Sequence, residues 1–140
     1  MSTHTATIII NASPHHVFMA LTDPGLVKLW QYGKEVITDW KSGSSIRFRV
    51  TFEGNILEQW GTVLEMRPDE LVKYNLFTPA QGLEDKLENY FTTSYILTAE
   101  GSHTRIELIQ EDNRINKFTP VSLMPILVAL KKIAESLPGQ

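Results

Sequence analysis

The histidines are the first side chains to consider for metal binding or proton transfer. His15 and His16 are adjacent, so on a helix their side chains point about 100° apart, whereas His4 and His103 lie far away in the sequence. A protein metal site needs three or four ligands that converge on one point, and no spacing in this sequence supplies them. The sequence therefore predicts solvent-exposed histidines, no bound metal and no cofactor.

Carboxylates on predicted strands are the next candidates, because burial raises the pKa of an acid toward neutrality and makes it a usable general base. The acids in question are Glu58, Glu65, Glu107, Glu111 and Asp112. Glu65 or Asp112 would serve in this way if it entered a pocket, but no spacing pairs either with a catalytic partner. The sequence also lacks nucleophile elbows, phosphate-binding glycine loops and dinucleotide fingerprints. We therefore assign no catalytic residue.

Several uncharged polar side chains are candidates for contact with a ligand. Tyr74 and Tyr95 either offer their hydroxyls to a ligand or form a stabilising cross-strand aromatic pair. Gln110 falls on an inward strand position, where a buried amide needs a hydrogen-bond partner. Trp30 either floors a pocket or pins a short helix to the sheet. For Gln110 that partner is either a ligand or a neighbouring group or water, and the alternatives stay open for all four residues.

The composition limits the class of protein. The 140 residues contain 42% hydrophobic residues and no cysteine, enough for a core without disulfides. The polar N-terminus does not resemble a signal peptide, and no apolar run is long enough to span a membrane. Net charge is −3 without a basic cluster, which argues against nucleic acid. We expect a single domain over residues 1–140, located in the cytoplasm.

The C-terminal segment is the element around which the other elements must pack. Apolar residues recur at three- and four-residue steps over residues 121–137, with charged residues opposite, which predicts an amphipathic helix. Ser13 and Asp23, each followed by proline, predict the starts of two short helices. Strands are predicted by β-branched runs, alternation and turn residues at residues 5–11, 36–40, 46–52, 56–66, 71–77, 90–98 and 104–111. The inward face of the strand at residues 56–66 stays open.

The order of several sequence motifs resembles one family. These motifs are NASP (residues 11–14), ALTDP (20–24), DWKSG (39–43), GTVLEMRP (61–68) and the segment 101–108, followed by the closing helix. Together they resemble the activator of Hsp 90 ATPase homologue family, within the START-like or SRPBCC superfamily, which includes Bet v 1-like proteins. The resemblance implies an α+β helix-grip fold. In this fold a curved antiparallel sheet of six or seven strands surrounds a long C-terminal helix, and two short helices follow the first strand.

A curved sheet and a helix leave space between them, and ligand cavities of this type measure roughly 300 to 1,000 Å³. Alternation along each strand, together with the helical period, predicts the residues that line this space. They are Trp30, Phe48, Val50, Tyr74, Tyr95, Leu108, Gln110, Met124, Leu127 and Leu130. The primary hypothesis is therefore a domain that binds a small hydrophobic molecule, such as a lipid. Two alternatives stay open: a cyclase- or hydrolase-type enzyme that uses the same cavity, and a co-chaperone with a chaperone partner.

Overall fold

The computed structural model describes residues 2–80, 82–112 and 122–139. Within these ranges the strands are β1 (Ser2–Ile10), β2 (Glu35–Ile37), β3 (Ser45–Phe52), β4 (Asn55–Arg67), β5 (Leu71–Leu76), β6 (Phe91–Glu100) and β7 (His103–Asp112). They form one curved, fully antiparallel sheet in the order β1-β7-β6-β5-β4-β3-β2. The predicted fold class is confirmed, with β1 and β2 as the two edge strands.

The two predicted helix starts are also confirmed. The helices of the described chain are α1 (Pro14–Thr22), α2 (Pro24–Trp30) and α3 (Met124–Ser136). The Ser13 hydroxyl accepts a hydrogen bond from the backbone amide of His16 at 3.2 Å. Asp23 accepts bonds from the amides of Gly25 and Leu26 at 2.9 and 3.3 Å. Each cap satisfies amides that the first helical turn leaves without an intrahelical partner.

The C-terminal helix buries a narrower face than the sequence predicts. It begins at Met124 and ends at Ser136, inside the apolar segment 121–137, and a start later than residue 121 is expected because proline is tolerated only in the first turn. Residue 121 itself lies outside the described residues. Leu127 and Leu130 are fully buried. The prediction that Met124 faces inward is wrong: its side chain is 39% exposed, because in the first turn it lies on the same side as the exposed Val128, one turn later.

The structure resolves the ambiguous face of β4. Gln59 and Val63 lie on the inner face, but the pairing with β5 shifts by one residue between Val63 and Glu65. After this bulge Met66 packs against the core. A single extra residue therefore reverses the alternation within β4. The inward residues are odd-numbered before the bulge and even-numbered after it.

The hairpin between β3 and β4 is shorter than predicted. Phe52 pairs with Asn55, so the turn consists of Glu53 and Gly54, with φ angles of 50° and 78°. Two consecutive positive φ angles are typical of a type I′ turn, whose twist matches that of the flanking strands. Asn55, predicted as part of the turn, already belongs to β4.

Candidate functional site

A cavity of about 300 Å³ lies between the inner face of the sheet and the first turn of α3. The backbone of α3 approaches β1, α1 and α2, which leaves space over the strands farther from β1. The residues that line the cavity come from the end of α2 and the segment after it, from β3 to β7 and from α3. They are Trp30, Gln31, Tyr32, Lys34, Phe48, Gln59, Tyr74, Leu76, Phe91, Thr93, Tyr95, Gln110, Pro125 and Ile126.

Half of the predicted lining set is brought together in this cavity. The residues in question are Trp30, Phe48, Tyr74, Tyr95 and Gln110. They belong to α2, β3, β5, β6 and β7, so five separate elements contribute one predicted side chain each. The sheet thus assembles, from positions far apart in the chain, the aromatic and amide groups that alternation predicts to point inward.

The other predicted lining residues do not reach the cavity. Leu108, Leu127 and Leu130 are fully buried in the packed core. Val50 is half-buried on β3, nearer the hairpin than Phe48, and Met124 lies on the outer side of α3. The period of a strand or helix identifies the inward face, but it does not tell which inward positions pack solidly and which border a void.

Aromatic rings form much of the cavity wall. The rings of Trp30 and Tyr95 meet edge to face, with centroids 6.4 Å apart and an interplanar angle of 86°. The rings of Phe48 and Tyr74 are 5.6 Å apart. The indole nitrogen of Trp30 donates a hydrogen bond to the Ala20 carbonyl at 2.7 Å. Trp30 therefore lines the cavity, packs α2 against the sheet through Tyr95 of β6 and also ties α2 to α1.

Burial favours the protonated form of the Tyr74 and Tyr95 hydroxyls. Burial raises the pKa of Tyr74 well above its ordinary value, and the neighbouring Tyr95 hydroxyl adds to this effect. Burial also raises the pKa of Tyr95. Because the phenolate form of each is disfavoured, these groups act as neutral hydrogen-bond donors or acceptors and are poor bases.

One cation borders the cavity among its described lining residues. Lys34 is half-buried, and burial lowers the pKa of its ammonium. Its Nζ donates a hydrogen bond to Gln59 Oε1 at 3.2 Å and lies 5.7 Å from the centre of the Phe48 ring. The Gln59 amide nitrogen in turn donates to Thr78 Oγ1 at 2.7 Å, which fixes the orientation of the amide.

Several residues that line the cavity are not among those that the sequence predicts. Only some of them lie at positions that strand alternation identifies as inward. Leu76, Thr93 and Phe91 lie at two- or four-residue steps from Tyr74 and Tyr95, so alternation pointed to them. The others lie in the turn after α2, on the ambiguous strand β4 or in the first turn of α3, where no period applies. They are Gln31, Tyr32, Lys34, Gln59, Pro125 and Ile126.

The histidines are only partly as predicted. His15 and His103 are exposed, and His15 Nδ1 lies 3.2 Å from Asp69 Oδ1. His4 and His16 are half-buried, so the prediction of solvent exposure is wrong for them. His16 packs in the first turn of α1, where its Nδ1 lies 2.8 Å from the hydroxyl of the capping Ser13.

The acids considered as general bases lie outside the lining of the cavity. Glu65 pairs with Arg67 at 2.7 Å on the partly exposed surface, and Glu58 pairs with Arg47 and Arg49 at 3.3 and 3.1 Å. Residues 2–80, 82–112 and 122–139 contain no group of three or more His, Cys, Asp or Glu side chains that could hold a metal ion. In the same ranges, no helix is long and apolar enough to cross a membrane.

The curved antiparallel sheet, the two short helices after β1 and the C-terminal helix define the helix-grip class of START-like, or Bet v 1-like, proteins. The model of the family "Activator of Hsp90 ATPase homolog 1-like protein" matches residues 11–122. The chain belongs to this family, which confirms the resemblance in the sequence motifs. A search of curated proteins finds no match.

Solved structures support the same fold. The solution structure of ChR145 from Cytophaga hutchinsonii is 29% identical, with a TM-score of 0.71 over 96% of this chain and 84% of that one. PFC0360w from Plasmodium falciparum, described as an HSP90 activator, is 17% identical, with a TM-score of 0.65 over 83% and 76% of the two chains. Ara h 8.0201 is 10% identical, with a TM-score of 0.73 over 97% and 99%.

Proposed function

We propose that the chain binds a small hydrophobic molecule in the cavity between the sheet and α3. The observation that carries this proposal is the cavity itself, with a volume of about 300 Å³ and a wall made largely of aromatic and aliphatic side chains. Ligand sites in proteins combine such a wall with a few polar groups that fix the orientation of the ligand. The cytoplasmic location that the sequence predicts stays part of this proposal.

The polar groups of the wall support binding of a ligand with an apolar body. Thr93 is buried and Gln110 is half-buried at the cavity, and the tyrosine pair adds two neutral hydroxyls. Each of these groups can form one or two hydrogen bonds without introducing a charge. The enzyme alternative stays open, since fold alone does not select a function.

A dye titration tests the proposal. N-phenyl-1-naphthylamine, a neutral apolar dye that fluoresces when it leaves water, should bind the full chain with saturation at one molecule per chain. Ile126→Trp should abolish this binding, because residue 126 lines the cavity and the larger side chain would occupy it. Val128→Trp is the control: it introduces the same side chain on the same helix, at an exposed position outside this cavity.

The two variants make the test decisive once circular dichroism shows that both are folded. Loss of dye binding in Ile126→Trp together with normal binding in Val128→Trp supports the cavity as the site. Equal binding by both variants, or no saturable binding by the unmodified chain to the dye, would overturn the proposal.

A second candidate function, activation of Hsp90, is favoured by the family to which the chain belongs and by the description of PFC0360w. The measurement is the rate of ATP hydrolysis by purified Hsp90 with increasing amounts of this chain. A saturable rise in the rate supports the candidate, whereas an unchanged rate over a wide concentration range rejects it.

A further inference from the structure

The position of Lys34 points to the chemical class of the ligand. Lys34 closes the turn after α2, two residues after Tyr32, which is 85% exposed and marks where the cavity meets solvent. Backbone hydrogen bonds from Gly33 to the Lys28 carbonyl at 2.8 Å and from Lys34 to the Gln31 carbonyl at 3.2 Å hold the turn. The turn therefore positions the backbone of Lys34, and the contacts with Gln59 and Phe48 place its ammonium at the cavity.

Among the described residues, the Lys34 ammonium has fewer ion-pair and hydrogen-bond partners than its three N–H groups can use. Lys34 forms no ion pair with a carboxylate among residues 2–80, 82–112 and 122–139. The acid nearest to Gln59 in sequence, Glu58, already pairs with Arg47 and Arg49 on the other face of β4. A half-buried ammonium with an amide oxygen and an aromatic ring beside it still has N–H groups to offer.

The other residues that line the cavity indicate which charge the ligand carries. Apart from Lys34, the described lining residues are aromatic, aliphatic, hydroxyl or amide side chains, and none is a carboxylate. A cationic ligand would therefore meet a like charge and no counter-charge. An anion, in contrast, would receive a charge-assisted hydrogen bond and restore part of the solvation that Lys34 loses by burial.

We propose that the ligand is an amphipathic monocarboxylate, such as a medium-chain fatty acid, whose carboxylate is bound by Lys34 at the mouth and whose hydrocarbon body lies among the aromatic rings. This inference rests on the proposed function, since it needs an occupied cavity. The amide side chains of Gln31 and Gln59 line the same cavity.

The test compares two probes with chains of the same length, one ending in a carboxylate and the other in an uncharged hydroxyl group. Decanoate and decanol each compete with N-phenyl-1-naphthylamine for the full chain at pH 7, and the ratio of their competition constants measures the preference for an anion. We expect decanoate to bind more tightly than decanol. Lys34→Met and Lys34→Gln should weaken decanoate about tenfold or more, with decanol changed less than about twofold, because a charge-assisted hydrogen bond is lost.

Two further variants serve as controls. Lys34→Arg keeps the positive charge and should retain most of the preference for decanoate. Lys28→Met removes a positive charge from an exposed position of α2 that does not line the cavity, so it changes net charge equally and should leave the preference intact.

The outcomes distinguish failure of the role assigned to Lys34 from failure of the cavity as a binding site. If decanol binds as well as decanoate, or if both neutral variants keep the preference for decanoate while the dye still binds, the assignment of Lys34 is overturned and the hydrophobic cavity remains the proposed site. If neither the dye nor either probe binds the unmodified chain, the proposed function itself fails and this inference fails with it.

Discussion

Lys34 and Gly61 show how single residues depend on their surroundings in this structure. Lys34 is partly removed from water at the cavity, so its charged form loses solvation. Gly61 lies where β4 passes very close to β5: a Cβ built on it would be 1.9 Å from the backbone oxygen of Asn75. Burial of the charged Lys34 thus destabilises the folded state at neutral pH. Gly61, in contrast, lets β4 and β5 approach each other more closely than any larger residue would allow.

At neutral pH, Lys34→Met should stabilise the unliganded protein. Burial lowers the pKa of Lys34 from its ordinary value of 10.5, so the unfolded chain holds the proton more tightly than the folded one. The penalty is fully present below the folded-state pKa and is relieved as pH rises from that value toward 10.5. Thermal unfolding at pH 7 should give the variant the higher Tm, and the difference should shrink by pH 10.5. A lower Tm for the variant at pH 7 would mean that the contacts with Gln59 and Phe48 outweigh the cost of burial.

Gly61→Ala should destabilise the protein. The obstructing atom is backbone, so the strands must separate, and overpacking of this type costs about 1–3 kcal/mol in the free energy of unfolding. Urea denaturation measures the loss. Gly25→Ala is the matched control, because its added Cβ meets only the side chain of Asp23, at 3.2 Å, and should cost much less. Equal stability of Gly61→Ala and the unmodified chain would contradict the close approach.

Residue types and periods predicted part of the site. Tyr74 and Tyr95 were identified because alternation on β5 and β6 is uninterrupted. Gln59 was not, because the bulge after Val63 reverses the alternation on β4. Lys34 was not identified either, because it lies in a turn whose backbone path is determined by tertiary contacts and not by a repeating pattern.

At the scale of elements, one side of α3 packs closely against the core and another side borders the cavity. Leu127 is fully buried in the core, whereas its neighbour Ile126 is only partly buried and borders the cavity. The helical period places Leu127 on the buried face, whereas Ile126 points about 100° away from it, toward the cavity.

This difference predicts unequal losses of stability when each residue is replaced by tryptophan. Leu127→Trp should lower the free energy of unfolding by about 1–3 kcal/mol, because the added volume has no space to occupy. Ile126→Trp should lower it by less, since the cavity accepts the larger ring. Urea denaturation of both variants gives the comparison. A larger loss for Ile126→Trp than for Leu127→Trp would contradict the positions assigned to these two residues.

At the scale of the whole molecule, the fold was accessible from sequence and the cavity was not. Strand alternation, two proline-marked helix starts and the amphipathic C-terminal segment predicted the element order and the helix-grip fold, as the sheet order and the family match confirm. The volume of the cavity depends on how far the sheet curves away from α3, which is a sum of small twists and of the bulge in β4.

The most direct measurement of the central claim is the contact between the bound dye and the protein, observed by NMR as intermolecular nuclear Overhauser effects. With N-phenyl-1-naphthylamine bound at one molecule per chain, we expect effects to the ring protons of Tyr74 and Tyr95 inside the cavity. Effects confined to the exposed apolar side chains of Leu29 and Val128 would contradict the claim and place the dye on the surface.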